Sequence, residues 1–372
     1  MDKPLAGLKV VELARILAGP WAGQLLADLG AEVVKVERPG VGDDTRHWGP
    51  PFITDPDGED LGAAYFHACN RGKTSRAIDL QSDAGRAEVR ALSADADILI
   101  ENFKVGDLAR QGLDYAALSA LNPGLVYCSI TGFGQTGPYA ARAGYDFIIQ
   151  GMGGAMSLTG EPDGAPQKSG IAYADIFTGL YATVAILAAL RARDADPEHK
   201  GAHIDMALLD TQVAVLANQA LNWMASGEVP HRMGNGHANL VPYQAFKASD
   251  GEIIVAVGND RQFARLCEIL GLAALAGDPR FATNPARVVN RAALIPLLEA
   301  AIAPHNRAEF AKALEAAGIP AGPINQVDAV FSDPQVVHRG MQINGAEAPG
   351  LASPIVIDGK RQVSAIGAPR LP

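Results

Sequence analysis

The residue in this chain best placed to do chemistry is Asp175. It is the single carboxylate in an otherwise small and apolar run, Ser169-Gly170-Ile171-Ala172-Tyr173-Ala174-Asp175-Ile176-Phe177-Thr178-Gly179-Leu180. That run passes directly into Tyr181 to Leu190, a segment rich in helix formers. A carboxylate near the first turn of a helix meets unpaired backbone N–H groups and the positive end of the helix dipole. Burial there raises its pKa, whereas the dipole favours the ionised form. Two uses fit the placement: a helix cap, or a nucleophile held away from water.

A second set of chemistry-bearing residues is basic. Arg38 and Arg46 lie in the Gly/Pro-rich loop Glu37 to Arg46. Arg71, Lys73 and Arg76 lie in the turn Asn70 to Arg76, and Lys104 and Arg110 flank a short helix. Each follows a strand-like segment. Together they would make a phosphate-binding edge beyond the strand ends of an α/β sheet, although any one of them also fits solvated surface charge. The glycines of Gly132 to Pro138, of Gly144-Tyr145-Asp146 and of Gly151 to Gly160 allow backbone to pass close to a ligand.

Positioning these groups requires a sheet. Leu8 to Leu13, Ala31 to Glu37, Ala96 to Phe103, Leu125 to Thr131 and His203 to Leu209 read as strands, with helices over Trp21 to Leu29 and Ala84 to Leu92. The opening strand-helix-strand unit has Gly19 and Gly23 in its first turn instead of G-x-G-x-x-G, which argues against a nicotinamide or flavin site. From about Glu228 the character changes. The polar loop Gly234-Asn235-Gly236-His237 precedes a hairpin of Val241 to Phe246 and Glu252 to Val257. Helices follow over Asp260 to Leu270, Arg291 to Ala303 and Arg307 to Ala317. The expected organisation is α/β: a large domain over 1–225, a smaller α+β domain over 226–320, and a segment over 321–372 that returns to the large domain.

Bulk properties narrow the partners. A chain of 372 residues with 48% hydrophobic and 19% charged residues can build a large core. The net charge of −10 excludes a broad nucleic-acid footprint, so a phosphate-bearing ligand has to meet a local basic patch. Cys69, Cys128 and Cys267 are widely spaced, without a metal-ligand pattern, and read as small hydrophobes in a reducing compartment. The N-terminal residues lack the apolar stretch of a signal peptide, and the apolar run Leu180 to Leu190 is short of a membrane span. A cytoplasmic protein with no membrane or nucleic-acid partner is expected.

Taken in order, these motifs resemble the class III CoA-transferases, the CaiB/BaiF-type family of formyl-CoA, carnitine and dicarboxylate CoA-transferases and the related α-methylacyl-CoA racemases. The markers are Gly7 to Leu13 with Ala18-Gly19-Pro20, Glu37-Arg38-Pro39-Gly40, Asn70-Arg71-Gly72-Lys73, Glu101-Asn102-Phe103, Thr131 to Gly134, Gly144-Tyr145-Asp146 and Asp175-x-x-x-Gly179. The resemblance implies a Rossmann-like large domain, an interlocked homodimer, and an acyl-carrying aspartate at Asp175. It also implies CoA contacts at Leu17, Ala18, Arg38, Lys73, Asn102, Phe103 and Arg110. The backbone of Ala143, Gly144, Tyr145 and Asp146 would then lie against the pantetheine and thioester. CoA or acyl-CoA enters as a substrate, with no tightly bound cofactor, and a carboxylic acid is the second partner.

Within the family the racemase branch carries histidine where this chain has Tyr145. Racemisation needs a donor and an acceptor of protons near neutral pH, and tyrosine, with an unperturbed pKa of about 10, serves poorly. The reading is therefore CoA transfer, with racemisation as the alternative. The region of Gly234, Asn235, Gly236 and His237 lacks the continuous glycines of formyl-CoA transferases and is more similar to the dicarboxylate branch. There His237 and Asn239 would hydrogen-bond a distal carboxylate or, alternatively, only shape the loop.

Overall fold

The computed structural model describes residues 3–345 and 347–371. Two compact units are present: one comprises Met1–Ala155, Lys168–Ala217 and Pro334–Pro372, the other Met156–Gln167 and Asn218–Asp333.

The first unit is built on six parallel strands: β1 (Lys9–Glu12), β2 (Glu32–Glu37), β3 (Lys73–Ala77), β4 (Ile98–Glu101), β5 (Val126–Thr131) and β6 (His203–Ala207). Their order is β3-β2-β1-β4-β5-β6. The order reverses between β1 and β4, and a doubly wound sheet offers its ligand crevice beyond the strand ends at that point. Alternation along the strands buries both faces. Val10, Ile98, Ile100, Val126 and Cys128 pack with α1 (Ala18–Asp28) and with the long helix that follows Tyr173. Val11, Leu99 and Tyr127 pack in a second core with residues of α2 (Asp83–Ala94) and α3 (Tyr115–Leu121). The sequence Lys73-Thr-Ser-Arg-Ala77 forms an edge strand, not the loop expected from its polarity.

Two further helices carry the site. α4 spans Asp146–Met152, and α5 spans Tyr173–Ala195. At 23 residues α5 is long and apolar enough to cross a bilayer by length and composition, more than the run Leu180 to Leu190 suggests. Its residues Ala174, Ala182, Ile186 and Leu190 nevertheless belong to the core shared with α1 and the sheet.

The second unit holds an antiparallel sheet of β7 (Tyr243–Ala248), β8 (Gly251–Ala256) and β9 (Ala321–Pro323), with β8 central. Helices α6 (Asp260–Ile269), α7 (Arg291–Ile302) and α8 (Arg307–Ala316) cover it through Phe263, Leu266, Leu294, Leu298, Phe310 and Leu314. Its limits differ from 226–320 for local reasons. Arg232 donates to the carbonyls of Glu161 and Gly164, and the Gly234 amide donates to Gly160, tying 156–167 into this unit. β9 pairs with β8, so residues 321–323 belong here as well. The later segment closes on the first unit: Arg71 donates to the Leu351 carbonyl at 2.6 Å, and the Ser364 amide donates to Asp28 at 2.7 Å.

Candidate active site

Asp175 sits in the first turn of α5 but does not cap it. The cap comes from Asp146 at the start of α4. Its Oδ1 accepts from the amides of Ala174 at 2.9 Å and Asp175 at 3.3 Å. Its Oδ2 accepts from Gln150 Nε2 at 2.6 Å, and Gln150 Oε1 accepts from the Ser169 amide at 2.9 Å. The Asp146 side chain thus serves α5, and Asp146 is not among the residues lining the cavity described below. The arrangement frees the Asp175 carboxylate, which has no hydrogen bond among the described residues. Burial pushes its carboxyl up to about 7, and the neighbouring Asp146 charge acts in the same direction.

The spacing Asp175-x-x-x-Gly179 has a packing reason. One turn below the carboxylate, a Cβ at Gly179 would lie 2.7 Å from the Ala18 carbonyl oxygen and 3.0 Å from Trp21 Cβ. Only glycine lets α5 approach the first turn of α1 this closely, which brings Asp175 to the loop after β1. Gly132 and Gly144 make a second close approach, because a Cβ on either would lie 2.6 Å from the Cα of the other. This seats Ala143-Gly144-Tyr145 against the end of β5. Gly19 and Gly23, which could suggest phosphate binding, are packing residues: their Cβ atoms would meet Ala14 Cβ at 2.3 Å and Glu12 Oε2 at 1.8 Å.

Around Asp175 lies a cavity of about 290 Å³ at the point where the strand order reverses. One wall is Arg15 to Ala18 after β1, and the next is Asn102 to Val105 after β4. The wall near β5 includes Thr131, Gly132 and Arg142 to Tyr145. Asn102 stitches the first two walls together: its Oδ1 accepts from the Arg15 amide at 2.9 Å and its Nδ2 donates to the Arg15 carbonyl at 2.7 Å. The Phe103 amide donates to the buried Glu101 carboxylate at 2.8 Å. Ile16 adopts φ 75°, a left-handed conformation rare for a β-branched residue.

Of the residues expected to contact CoA, Leu17, Ala18, Asn102, Phe103, Ala143, Gly144 and Tyr145 line this cavity with Asp175. Lys73 does not. Its ammonium is buried and spends all three donors on Glu12 Oε1 at 2.9 Å, the Pro20 carbonyl at 2.9 Å and Asn70 Oδ1 at 2.8 Å, so none remains for a phosphate. Arg38 and Arg110 lie outside the cavity lining on the exposed surface, paired with Asp44 and Asp107. Three residues escaped sequence reasoning. Arg15 lines the cavity and donates to Asp44 at 2.6 Å, and Arg142 lines it over the rings of Phe133 and Tyr139. Tyr65 is the third: burial, with the Asp175 charge next, pushes its phenol up to about 12, so it stays a neutral O–H donor. Arg15 and Arg142 were visible as basic residues beside the glycine turns; nothing local pointed to Tyr65.

In the second unit the 234–241 loop is held from several sides. Arg291 donates to the carbonyls of His237 at 3.1 Å and Ala238 at 2.7 Å, and Asn284 donates to the Asn239 carbonyl at 2.8 Å. His237 Nδ1 accepts from the amides of Asn239 at 3.0 Å and Leu240 at 3.1 Å. The neutral ring therefore carries its proton on Nε2.

A doubly wound parallel domain thus carries, in its switch-point cavity, a desolvated carboxylate without a hydrogen bond among the described residues, an arrangement suited to an enzyme that does carboxylate chemistry on a bound ligand. The comparisons with known proteins give the class. The model of CoA-transferase family III matches residues 5–371, and the chain belongs to that family. It is 55% identical over 359 residues to the succinate–glutarate CoA-transferase of Agrobacterium fabrum, covering 95% of this chain and 89% of that one. It is 43% identical over 339 residues to the succinyl-CoA:glutarate CoA-transferase of Homo sapiens, covering 91% and 76%. The crystal structure of a CAIB/BAIF family protein from Brucella suis superposes with a TM-score of 0.88 at 58% identity, over 100% of this chain and 97% of that one. The protein is a CoA-transferase.

Proposed function

We propose that the chain moves CoA from succinyl-CoA, or another dicarboxylyl-CoA, to a second dicarboxylic acid, with Asp175 as the acyl carrier. The observation that carries this is the Asp175 carboxylate itself, raised to about 7 by burial and left without a structural task in the cavity. A poorly solvated carboxylate is a stronger nucleophile once ionised. Its oxygen attacks the thioester carbon, the C–S bond breaks, and CoA thiolate leaves a mixed aspartyl anhydride. The thiolate then attacks the Asp175 carbonyl carbon, releasing the donor acid and leaving an aspartyl-CoA thioester. An acceptor carboxylate reverses both steps, and Asp175 is regenerated. Thioester energy is conserved, so the exchange consumes no ATP.

CoA is a substrate in this scheme and not a resident group. The cavity suits its pantetheine end, with Leu17, Ala18, Phe103 and the Ala143–Tyr145 backbone as walls. The exposed guanidiniums of Arg38 and Arg110 supply charge for the nucleotide phosphates. The dicarboxylate assignment rests on the relatives' substrates and on the cations Arg15, Lys104 and Arg142 around the cavity. In the second unit, His237 commits its Nδ1 to the loop amides of Asn239 and Leu240 and so offers its Nε2 side to a carboxylate, and Gly234-Asn235-Gly236 shape that loop. Racemisation is disfavoured, since Tyr145 stands at the cavity and no histidine is among its described lining residues. We further propose a cytoplasmic homodimer of interlocked chains that binds neither membrane nor nucleic acid.

The test is purified protein with succinyl-CoA and a panel of mono- and dicarboxylic acids, read by mass spectrometry. Exchange with C4 to C6 dicarboxylates is expected, together with a covalent Asp175 adduct trapped by hydroxylamine or borohydride. Asp175→Asn should show neither while still binding CoA, and His237→Ala should lose dicarboxylates more than monocarboxylates. Full exchange in Asp175→Asn refutes the mechanism.

A further inference from the structure

We propose that Asp43 is a positioning residue of the transfer reaction. Its buried carboxylate holds the Ile16 amide, and so fixes the left-handed turn that sets Leu17 and Ala18 as a wall of the cavity around Asp175. This rests on the reading of Asp175 as acyl carrier.

The starting observation is the Ile16 φ of 75°. A β-branched residue adopts that conformation only when its surroundings over-determine it, and such outliers concentrate at functional sites. The surroundings do so here. Asp43 Oδ1 and Oδ2 lie 3.4 and 3.3 Å from the Ile16 nitrogen and accept its N–H. The Cys69 thiol donates to the Ile16 carbonyl at 3.6 Å, while Asn102 grips both polar groups of Arg15 one residue earlier.

Asp43 is in turn held from several sides. It is 1% exposed and accepts from the Thr45 amide at 3.0 Å and the Thr45 hydroxyl at 2.8 Å. Lys35 Nζ lies 2.9 Å from its Oδ2, and the other donors of that ammonium go to Glu12 at 3.0 Å and the Ala14 carbonyl at 2.9 Å. The Asp43 amide donates to Glu37 at 2.8 Å. A carboxylate committed in this way does not meet substrate; it acts through the turn. The turn matters because α1 begins at Ala18 with no side-chain cap on its first amides, and Ile16 decides the direction in which Leu17 and Ala18 leave β1. A purely architectural role for the Glu12–Lys35–Asp43 cluster would affect folding but not the chemistry at the turn.

A double-mutant cycle separates the two. Asp43→Asn, Ile16→Gly and the pair are assayed for kcat and KM with succinyl-CoA and a saturating acceptor, alongside thermal midpoints. Asp43→Asn should lower kcat by about tenfold or more while changing the KM for succinyl-CoA by less than about threefold. In the Ile16→Gly background the same change should lower kcat by less than about threefold, because glycine takes the positive φ without being held. Equal losses in both backgrounds overturn the proposal. If Asp43→Asn does not fold, Thr45→Val, which removes one donor that orients the carboxylate, runs the same cycle with the same two outcomes. A wild-type protein lacking both exchange and the Asp175 adduct would refute the transfer reading instead, leaving the cycle to be read on the activity actually found.

Discussion

At the scale of residues, Asp175 was legible from its sequence surroundings, but its electrostatic state was not. A lone carboxylate at a helix start reads as a cap, and the actual cap, Asp146, lies nearly thirty positions earlier in the chain, with its Oδ1 spaced 28 residues from the Ala174 amide it accepts. Lys73 shows the same limit. A basic residue beside glycine resembles a phosphate ligand until the sheet places its ammonium among three acceptors. The raised carboxyl of Asp175 has two consequences. Because the proposed nucleophile must be ionised, kcat/KM for acyl-CoA should fall with unit slope as pH drops below about 7, measured under conditions where the fold is intact. For stability the sign is opposite to that of a paired aspartate. A folded pKa raised from 3.8 to about 7 leaves no penalty below the unfolded value, and the penalty grows to its full size above the folded one. Asp175→Asn should therefore raise the unfolding free energy at pH 8 by ~1–2 kcal/mol after allowing for solvent contact, and the thermal midpoint with it, with the advantage vanishing near pH 4. Calorimetry at the two pH values checks it, and an equal shift at both would place the effect elsewhere.

At the scale of elements, the buried strands were readable because apolar runs such as Ile98-Leu99-Ile100 face cores on both sides of the sheet. β3 was not, since its residues are polar and its place is fixed by pairing with β2, a non-local fact. Helix α5 was readable in its apolar middle, but its first turn depends on a cap from α4. The contact that matters most is between α5 and α1. Gly179→Ala would drive a methyl group to 2.7 Å from the Ala18 carbonyl oxygen, backbone that cannot turn aside. The helices must separate, carrying Asp175 away from the Leu17–Ala18 wall. Loss of kcat by about tenfold or more is expected, with destabilisation of ~1–3 kcal/mol from the overpacking. Gly179→Ala with wild-type kcat would show that the spacing below Asp175 is not what places it.

At the scale of the whole chain, the change in character near residue 228 marked a second unit, but not its discontinuity. Residues 156–167 join it through two carbonyls that accept from Arg232 and one that accepts from the Gly234 amide, contacts that no composition shift announces. The proposed dimer can be argued from what one chain leaves uncovered. Phe177, Leu180, Tyr181 and Val184 are exposed along α5, Val184 at 64%, on the same helix that carries Asp175. A contiguous apolar face of this kind usually meets protein. If it faced water, Val184→Glu would be close to neutral, as surface substitutions are; if it is covered by a second copy, a buried unpaired charge should abolish assembly. Light scattering on the wild-type protein should give the mass of two chains. Mixing tagged and untagged protein should give no heterodimer until both are unfolded and refolded together, because linked chains cannot part while folded. Rapid subunit exchange would leave a dimer but reject the interlock, and a monomeric wild type together with a neutral Val184→Glu would reject both.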